Sequence, residues 1–166
     1  MAHPLLTFAL LAAGVAAVAS RAPDDDPKRL STYERRHRRP PKAVWRRAVV
    51  RRAGKIINAS GETLEVIEVD GEVMRDEVDI DFVAGGNPGR YTYNPHGTIL
   101  VEAGMSPKDK AATVLHEAHE DDLMRHQGLS YEDAHTSALR LEKRFRHSAD
   151  GRAGNRTIER WLKKRL

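Results

Sequence analysis

The chain has 166 residues and a formal net charge of +4, a length that suits one domain with tails. It contains no cysteine, which excludes disulfide bonds and thiolate metal sites, so any metal site must use histidine and carboxylate. Residues 1–55 hold 13 Lys and Arg against 4 Asp and Glu, whereas residues 56–166 hold 15 against 20. The basic charge therefore belongs to the N-terminal third, and the remainder is mildly acidic.

Residues 1–20 are the first predicted segment, an apolar helix. The apolar stretch Pro4 to Ala19 is shorter than the ~20 residues of a membrane span. Its composition resembles a signal-peptide core with a small-residue cleavage pattern at Ala17-Val18-Ala19, but no Lys or Arg precedes it. A signal peptide or membrane anchor and a helix packed on the domain or a partner both stay open, so localisation is not assigned.

Residues 21–55 are predicted to be a basic linker or arm. Prolines and dense charge in residues 21–41 indicate a segment that cannot bury a core. From Lys42 to Lys55, Trp45, Val49 and Val50 are set among arginines, which indicates a short basic helix or a solvated arm, with the arm slightly favoured. Residues 28–55 are the candidate contact for nucleic acid or an anionic surface, although no DNA-binding motif accompanies them.

Residues 56–150 are predicted to be the chemical domain, and strands dominate its first half. Apolar residues alternate with acidic ones, and Asp70-Gly71 is a typical hairpin turn. The predicted strand residues are Ile56-Ile57, Leu64 to Val69, Val73, Val78 to Phe82, Tyr91 to Tyr93 and Thr98 to Val101. We expect an α+β fold, in which a small antiparallel meander with one solvated face is followed by a pair of helices.

Two capped helices are predicted in the second half of this domain. Ser106 is a favourable N-cap and is followed by Pro107 in the first turn, and Gly128 is a favourable residue to end the helix. Ser130 begins a second helix in the same way, so the short connection makes the two helices neighbours. Residues 151–166 form a basic tail that is either a docking helix or a frayed end.

The run His116-Glu117-Ala118-His119-Glu120 carries the strongest chemical signal. On a helix, His116 and Glu120 lie about 40° apart, and Glu117 lies about 100° from His116. This is the geometry of the H-E-x-x-H metallopeptidase helix, in which the first and fifth residues bind zinc and the second is the general base. The fifth residue here is glutamate, which is also a legitimate zinc ligand.

The second helix supplies the remaining candidates. His135 lies one turn into it and is the predicted third ligand, so the metal set is His116, Glu120 and His135, with Glu117 as the catalytic base. His119 is the alternative second ligand. Glu142, two turns beyond His135, is either a fourth carboxylate at the site or an outer partner that orients His135.

A family resemblance rests on Val114 to Glu120, Leu123-Met124 and Gly128 to His135, together with Asp81 to Gly86 and Ile99 to Glu102. These residues resemble a group of small zincin-like proteins from phage and metagenomic sequences, in an H-E-x-x-E form. The resemblance covers roughly residues 78–142. It implies a metal-dependent, metallopeptidase-like hydrolase fold and leaves the substrate open.

The leading hypothesis is a hydrolase with zinc or another divalent metal, which acts on a peptide or protein substrate held along the strand from Ile99 to Glu102. A second hypothesis is a non-catalytic phage, virion or host-interaction protein whose basic arm binds nucleic acid. A third is a membrane-tethered accessory protein anchored through residues 4–19.

Overall fold

A computed structural model of the protein describes residues 39–148 and 156–163. Within these ranges the fold is α+β, as predicted. The elements are α1 (Lys42–Ala48), β1 (Val49–Ile57), β2 (Thr63–Val69), α2 (Gly71–Glu77), β3 (Gly85–Gly86), β4 (Thr98–Glu102), α3 (Pro107–Gln127), α4 (Tyr131–His147) and α5 (Arg156–Lys163). The apolar stretch 4–19 and most of the linker 21–41 lie outside the described residues.

The sheet is mixed, whereas the sequence predicted an antiparallel meander. Its strand order is β1-β2-β4-β3, with β2 antiparallel to β1 and β3 antiparallel to β4. The central pair is parallel, with Glu65 beside Thr98 and Val69 beside Glu102. A parallel neighbour needs a long crossover, and residues 70–97, including α2, provide it.

Both faces of the central strands are covered, so the predicted solvated face is wrong for β2 and β4. Neighbouring residues of β2 enter different cores: Val66 packs on one face and Ile67 on the other, because strand side chains alternate. Ile99 and Leu100 of β4 divide in the same way. Helices α3, α4 and α5 supply residues to the first core, and α1 and α2 supply residues to the second.

The segment after Asp70 is a helix, not the predicted hairpin and strand. The Asp70 carboxylate accepts hydrogen bonds from the backbone N–H groups of Glu72 and Val73, so it is an N-cap. Val78 to Phe82 follow as turns, and Ile80 is exposed although Phe82 is buried. Residues Tyr91 to Tyr93 also lie outside any strand.

Residues 42–55 belong to the folded unit, so the favoured interpretation of this stretch as a solvated arm is wrong. Ala48 at the end of α1 and Ala53 in β1 are both buried. The neighbouring arginines form ion pairs with acidic residues: Arg47 with Glu77, Arg51 with Glu68, and Arg52 with Glu65. These carboxylates offset part of the basic charge of this stretch.

The predicted helix boundaries from Ser106 onward are confirmed. Ser106 and Ser130 accept hydrogen bonds from the backbone N–H groups of Asp109 and Asp133, and Gly128 ends α3 in the left-handed conformation. In the tail, α5 packs against α3 and β1 and buries Ile158, so this segment is a docked helix. No helix among the described residues combines the length and apolar character that a membrane span requires.

Candidate metal centre

Three side chains from α3 and α4 converge into a group that can hold a metal ion. His116 and Glu120 lie one turn apart on α3, and His135 is on the first turns of α4. Each offers one ligand atom, and these atoms lie within 4.8 Å of one another. The Nδ1 atom of His135 is 2.7 Å from Oε2 of Glu120 and 3.2 Å from Nε2 of His116, which is 3.5 Å from the same Glu120 oxygen.

These separations are close to those of a coordinated ion. With metal–ligand bonds of about 2.0–2.1 Å, tetrahedral coordination places ligand atoms about 3.3 Å apart. His116 and Glu120 are buried, whereas the His135 side chain is 37% exposed. Two imidazole nitrogens and one carboxylate oxygen therefore lie close together at a position that solvent reaches on the His135 side. Three protein ligands with a further position open is the usual arrangement of catalytic metal sites.

Glu142 hydrogen-bonds His116, which corrects one of its two predicted roles, that of an outer partner of His135. Its Oε2 atom lies 2.9 Å from Nδ1 of His116, and its Oε1 atom accepts a hydrogen bond from Nε of Arg146. An N–H at Nδ1 of His116 leaves the lone pair of Nε2 free for a metal. On the other side, Tyr131 stacks on the His135 ring at a centroid distance of 5.3 Å.

Glu117 follows His116 directly and is buried beside the ligand group. Burial raises the pKa of Glu117 to about 7, and the nearby carboxylates of Glu120 and Glu142 also raise it, while His116 and a hydrogen bond from Asn87 oppose them. The carboxyl group of Glu117 is therefore poised to take up and release a proton near neutral pH.

Without a metal, the surroundings of His116 and Glu120 shift both pKa values toward the charged forms, so a metal would have to displace a proton from His116. Burial alone lowers the pKa of His116, but hydrogen bonds with Glu120 and Glu142 and the charge of Glu117 outweigh it and raise the pKa. Burial alone raises the pKa of Glu120, but hydrogen bonds from His116, Asn87 and His135 outweigh it and lower the pKa. Glu120 is thus held as the carboxylate, the form that binds a metal.

Asn87 is the site residue that the sequence reasoning missed. Its side chain is fully buried, and its Nδ2 atom donates to Oε2 of Glu117 and to Oε1 of Glu120, both at 2.8 Å. In the sequence, Asn87 lies in the loop Gly85-Gly86-Asn87-Pro88-Gly89, which indicated a turn only. No spacing within the chain linked this loop to α3, so only tertiary structure reveals the contact.

A pocket of about 550 Å³ opens over the ligand group. Its lining combines His116, Glu117, Glu120, His135 and Glu142 with apolar and aromatic side chains such as Val83, Tyr91, Met105 and Tyr131. The strand beside this pocket is β3, because β4 is enclosed between β2 and β3. The expectation that the Ile99 to Glu102 strand provides a free edge is therefore wrong.

His119 lies outside the three-residue group. Its Nε2 atom is 3.0 Å from Oγ of Ser137 on α4, and burial lowers its pKa. The structure thus brings His116, Glu120 and His135 together and turns His119 toward the helix–helix interface. Glu142 contacts His116, and Asn87 links Glu117 to Glu120.

In comparisons with known proteins, no family model, curated protein or solved structure matches this chain.

Proposed function

We propose that the protein is a zinc-dependent hydrolase that cleaves a peptide or another amide. The observation that carries the proposal is the position of Glu117, a buried carboxyl group with a pKa of about 7, beside three converging metal-ligand side chains at a pocket. Two nitrogens and one carboxylate oxygen form a ligand set that zinc accepts, as do several other divalent transition metals. A general base next to three ligands is the minimum that metal-assisted hydrolysis requires.

Bound at this site, a zinc ion would supply two effects: it would lower the pKa of its bound water toward about 7, and it would polarise the carbonyl that is attacked. The protein provides the proton transfers. Glu117 takes a proton from the attacking water, and the protonated carboxyl group returns it to the amine that leaves. Without a metal the pKa of Glu117 is about 7, and the charge of a bound zinc ion would lower it, which favours the carboxylate form that takes the proton from water.

The substrate lies along β3 in this proposal. Strand β3 is the end strand of the described sheet, and an extended peptide would run along its outer side. The N–H of Gly85 already donates to the Val83 carbonyl, so the peptide would not bond to that group. Gly85 lies directly against Glu117, since a Cβ atom on Gly85 would come within 3.0 Å of Glu117 Cγ. A peptide along this edge therefore passes close to the general base. Val83 and Met105 beside it are suited to apolar substrate side chains.

The test measures metal content and peptide hydrolysis for the full chain loaded with Zn²⁺. We expect one zinc per chain, lost in His116→Ala and His135→Ala, and retained in His147→Ala, an exposed histidine on the same helix as His135. Glu117→Gln is expected to retain zinc but to lose a factor of ~10²–10⁴ in hydrolysis of a fluorogenic peptide mixture. A chain that binds no zinc, or whose hydrolysis survives Glu117→Gln, would refute the proposal.

The alternative, a non-catalytic phage or host-interaction protein with a nucleic-acid-binding arm, has weaker support. Arg47, Arg51 and Arg52 lie in the candidate arm, and each pairs with a carboxylate of the same fold. Cations already paired release fewer counterions from a phosphate backbone. A salt-dependent DNA shift that disappears on deletion of residues 28–38 would nevertheless favour this second function.

A further inference from the structure

Asn87 connects the two carboxylates at the centre of the site. Its Nδ2 atom donates one hydrogen to Glu117 and the other to Glu120, and its Oδ1 atom accepts a hydrogen bond from the backbone N–H of Arg90 at 3.0 Å. Carboxylates only accept and a backbone N–H only donates, so this network fixes the orientation of the amide. Every hydrogen-bonding group of the Asn87 side chain has a partner.

The bond from Asn87 decides which oxygen of Glu120 faces the ligand group. Its Oε1 atom accepts the hydrogen bond from Asn87, while its Oε2 atom lies near the two histidine nitrogens. With Oε1 engaged, Glu120 offers a single oxygen to a metal. One position of a tetrahedral site then stays open for water or substrate.

The hydrogen bond from Asn87 engages one of the two carboxylate oxygens of Glu117, so the other can exchange a proton in the proposed reaction. The Oε2 atom accepts from Asn87, whereas the Oε1 atom lies on the side of Gly85, where a Cβ atom would come within 3.1 Å of it. Gly85 and Glu117 both line the pocket. The oxygen that Asn87 does not engage is therefore the one beside the proposed substrate strand.

We infer that Asn87 is a positioning residue, which holds Glu120 as a one-oxygen ligand and directs the Oε1 atom of Glu117 into the pocket. This inference rests on the proposed function. Asparagine is suited to the role because one neutral side chain supplies two donors, whereas aspartate would add a third carboxylate and serine has a single donor. Two buried carboxylates need such donors, since buried charges without partners are strongly destabilising.

The experiment compares the full chain with Asn87→Ala and with Asn58→Ala. Asn58 is a matched control: it is also buried and hydrogen-bonds Glu62, but in the turn between β1 and β2. Zn²⁺ affinity is measured by competition with a chelator, and the absorption spectrum of the Co²⁺-loaded protein reports coordination number. Thermal unfolding separates loss of fold from loss of function, and Asn87→Asp, which keeps the shape, replaces Asn87→Ala if that variant does not fold.

We expect Asn87→Ala to weaken Zn²⁺ binding by ~10–100-fold, the usual effect of removing an outer partner of a metal ligand. Its Co²⁺ spectrum should shift toward higher coordination number, because both oxygens of Glu120 become available. Asn58→Ala should retain the affinity and the spectrum. Asn87→Asp should likewise change the spectrum, since an acceptor replaces the donors.

The outcomes separate this inference from the proposed function. If the wild type binds Zn²⁺ and cleaves peptides, and the Asn87 variants match it in affinity and spectrum, the positioning role is refuted and the hydrolase stands. If the wild type binds Zn²⁺ without hydrolysis, the hydrolase is refuted, and the affinity and spectrum alone decide the role of Asn87. A wild type that binds no metal refutes both.

Discussion

The Nε2 atom of His116 lies 3.2 Å from the Nδ1 atom of His135, although the two residues are 19 positions apart in the sequence. The connection between their helices is short, because α3 ends at Gln127 and α4 begins at Tyr131. The distance between the two imidazoles therefore depends on how the chain turns at Gly128, a residue outside the ligand group. A site of this kind can be tested through its supporting turn as well as through its ligands.

Replacement of Gly128 by alanine should weaken both the fold and the metal site. Gly128 has φ +69°, and a Cβ atom there meets nothing within 4 Å, so the cost is backbone strain of about 1 kcal/mol. We expect a lower urea midpoint and weaker Zn²⁺ binding for Gly128→Ala. Gly104→Ala is the control, because Gly104 also has open space around it but no positive φ. Equal effects of the two substitutions would contradict this account of the turn.

Replacement of Glu142 by glutamine should reduce metal affinity without unfolding the chain. Glu142 contacts Nδ1 of His116, and glutamine keeps an oxygen that can accept from this nitrogen but lacks the negative charge that makes the imidazole a stronger metal ligand. We expect a ~10–100-fold loss of Zn²⁺ affinity, measured by competition with a chelator. Glu132→Gln, an exposed position at the start of the same helix, should leave the affinity unchanged. Indistinguishable affinities for the two variants would show that the negative charge of Glu142 has no role in metal binding.

Sequence patterns predicted the helical half of the fold better than the sheet. The caps are local signals, and each is observed: the Ser106 and Ser130 side chains accept from a backbone N–H three residues on, and Gly128 ends α3 in the left-handed conformation. The strand pairing depends instead on contacts distant in sequence. The pattern Val78, Ile80, Phe82 alternates like a strand, yet the cap at Asp70 begins a helix before it and the chain then turns.

At the metal site, too, local geometry was predictable from the sequence and contacts between distant segments were not. The positions of His116, Glu117 and Glu120 follow from helical geometry, and the second helix brought His135 within reach. Asn87 and the pairing of Glu142 with His116 depend on how a loop and a neighbouring helix pack, which no spacing in the chain encodes. The prediction of a solvated arm was wrong for a related reason: the ion-pair partners of the arginines in residues 46–52 lie on β2 and α2, which are distant in the sequence.

Substitution of Gly85 by alanine should be destabilising, and a second substitution should relieve it. A Cβ atom on Gly85 would lie 2.4 Å from Cγ2 of Thr113, a buried residue of α3. Overpacking of this kind typically costs about 1–3 kcal/mol. Thr113→Ser removes that methyl group, so the Gly85→Ala/Thr113→Ser double variant should recover much of the free energy of unfolding.

Urea unfolding of the wild type, Gly85→Ala, Thr113→Ser and the double variant forms a double-mutant cycle. This cycle should give a coupling energy above ~0.5 kcal/mol. Gly86→Ala is the neighbouring comparison, since its Cβ would meet the nearest atom, in the Tyr91 ring, at 3.3 Å. Additive effects of Gly85→Ala and Thr113→Ser would contradict a direct clash between the two side chains.

The acid stability of the chain should depend on Glu68, a buried carboxylate outside the metal site. Its oxygens accept hydrogen bonds from Arg51 at 2.6 Å and from Lys110 at 2.8 Å, which connect β2 to β1 and to α3. Burial alone raises the pKa of Glu68, but these hydrogen bonds and the charges of both donors outweigh it and hold the pKa below 4.5. Ionised Glu68 thus stabilises the folded state at neutral pH.

A carboxyl group whose pKa is lower in the folded than in the unfolded chain contributes its full stabilisation above the unfolded value and loses it as the pH falls through the folded value. Glu68→Gln should therefore cost about 2 kcal/mol in free energy of unfolding at neutral pH. Urea unfolding across pH should show this difference shrinking once the pH falls below 4.5. Glu65→Gln, whose partner Arg52 is 71% exposed, should cost less than ~1 kcal/mol. A Glu68→Gln deficit that stays constant down to the acid transition would mean that packing, and not the charge, makes Glu68 stabilising.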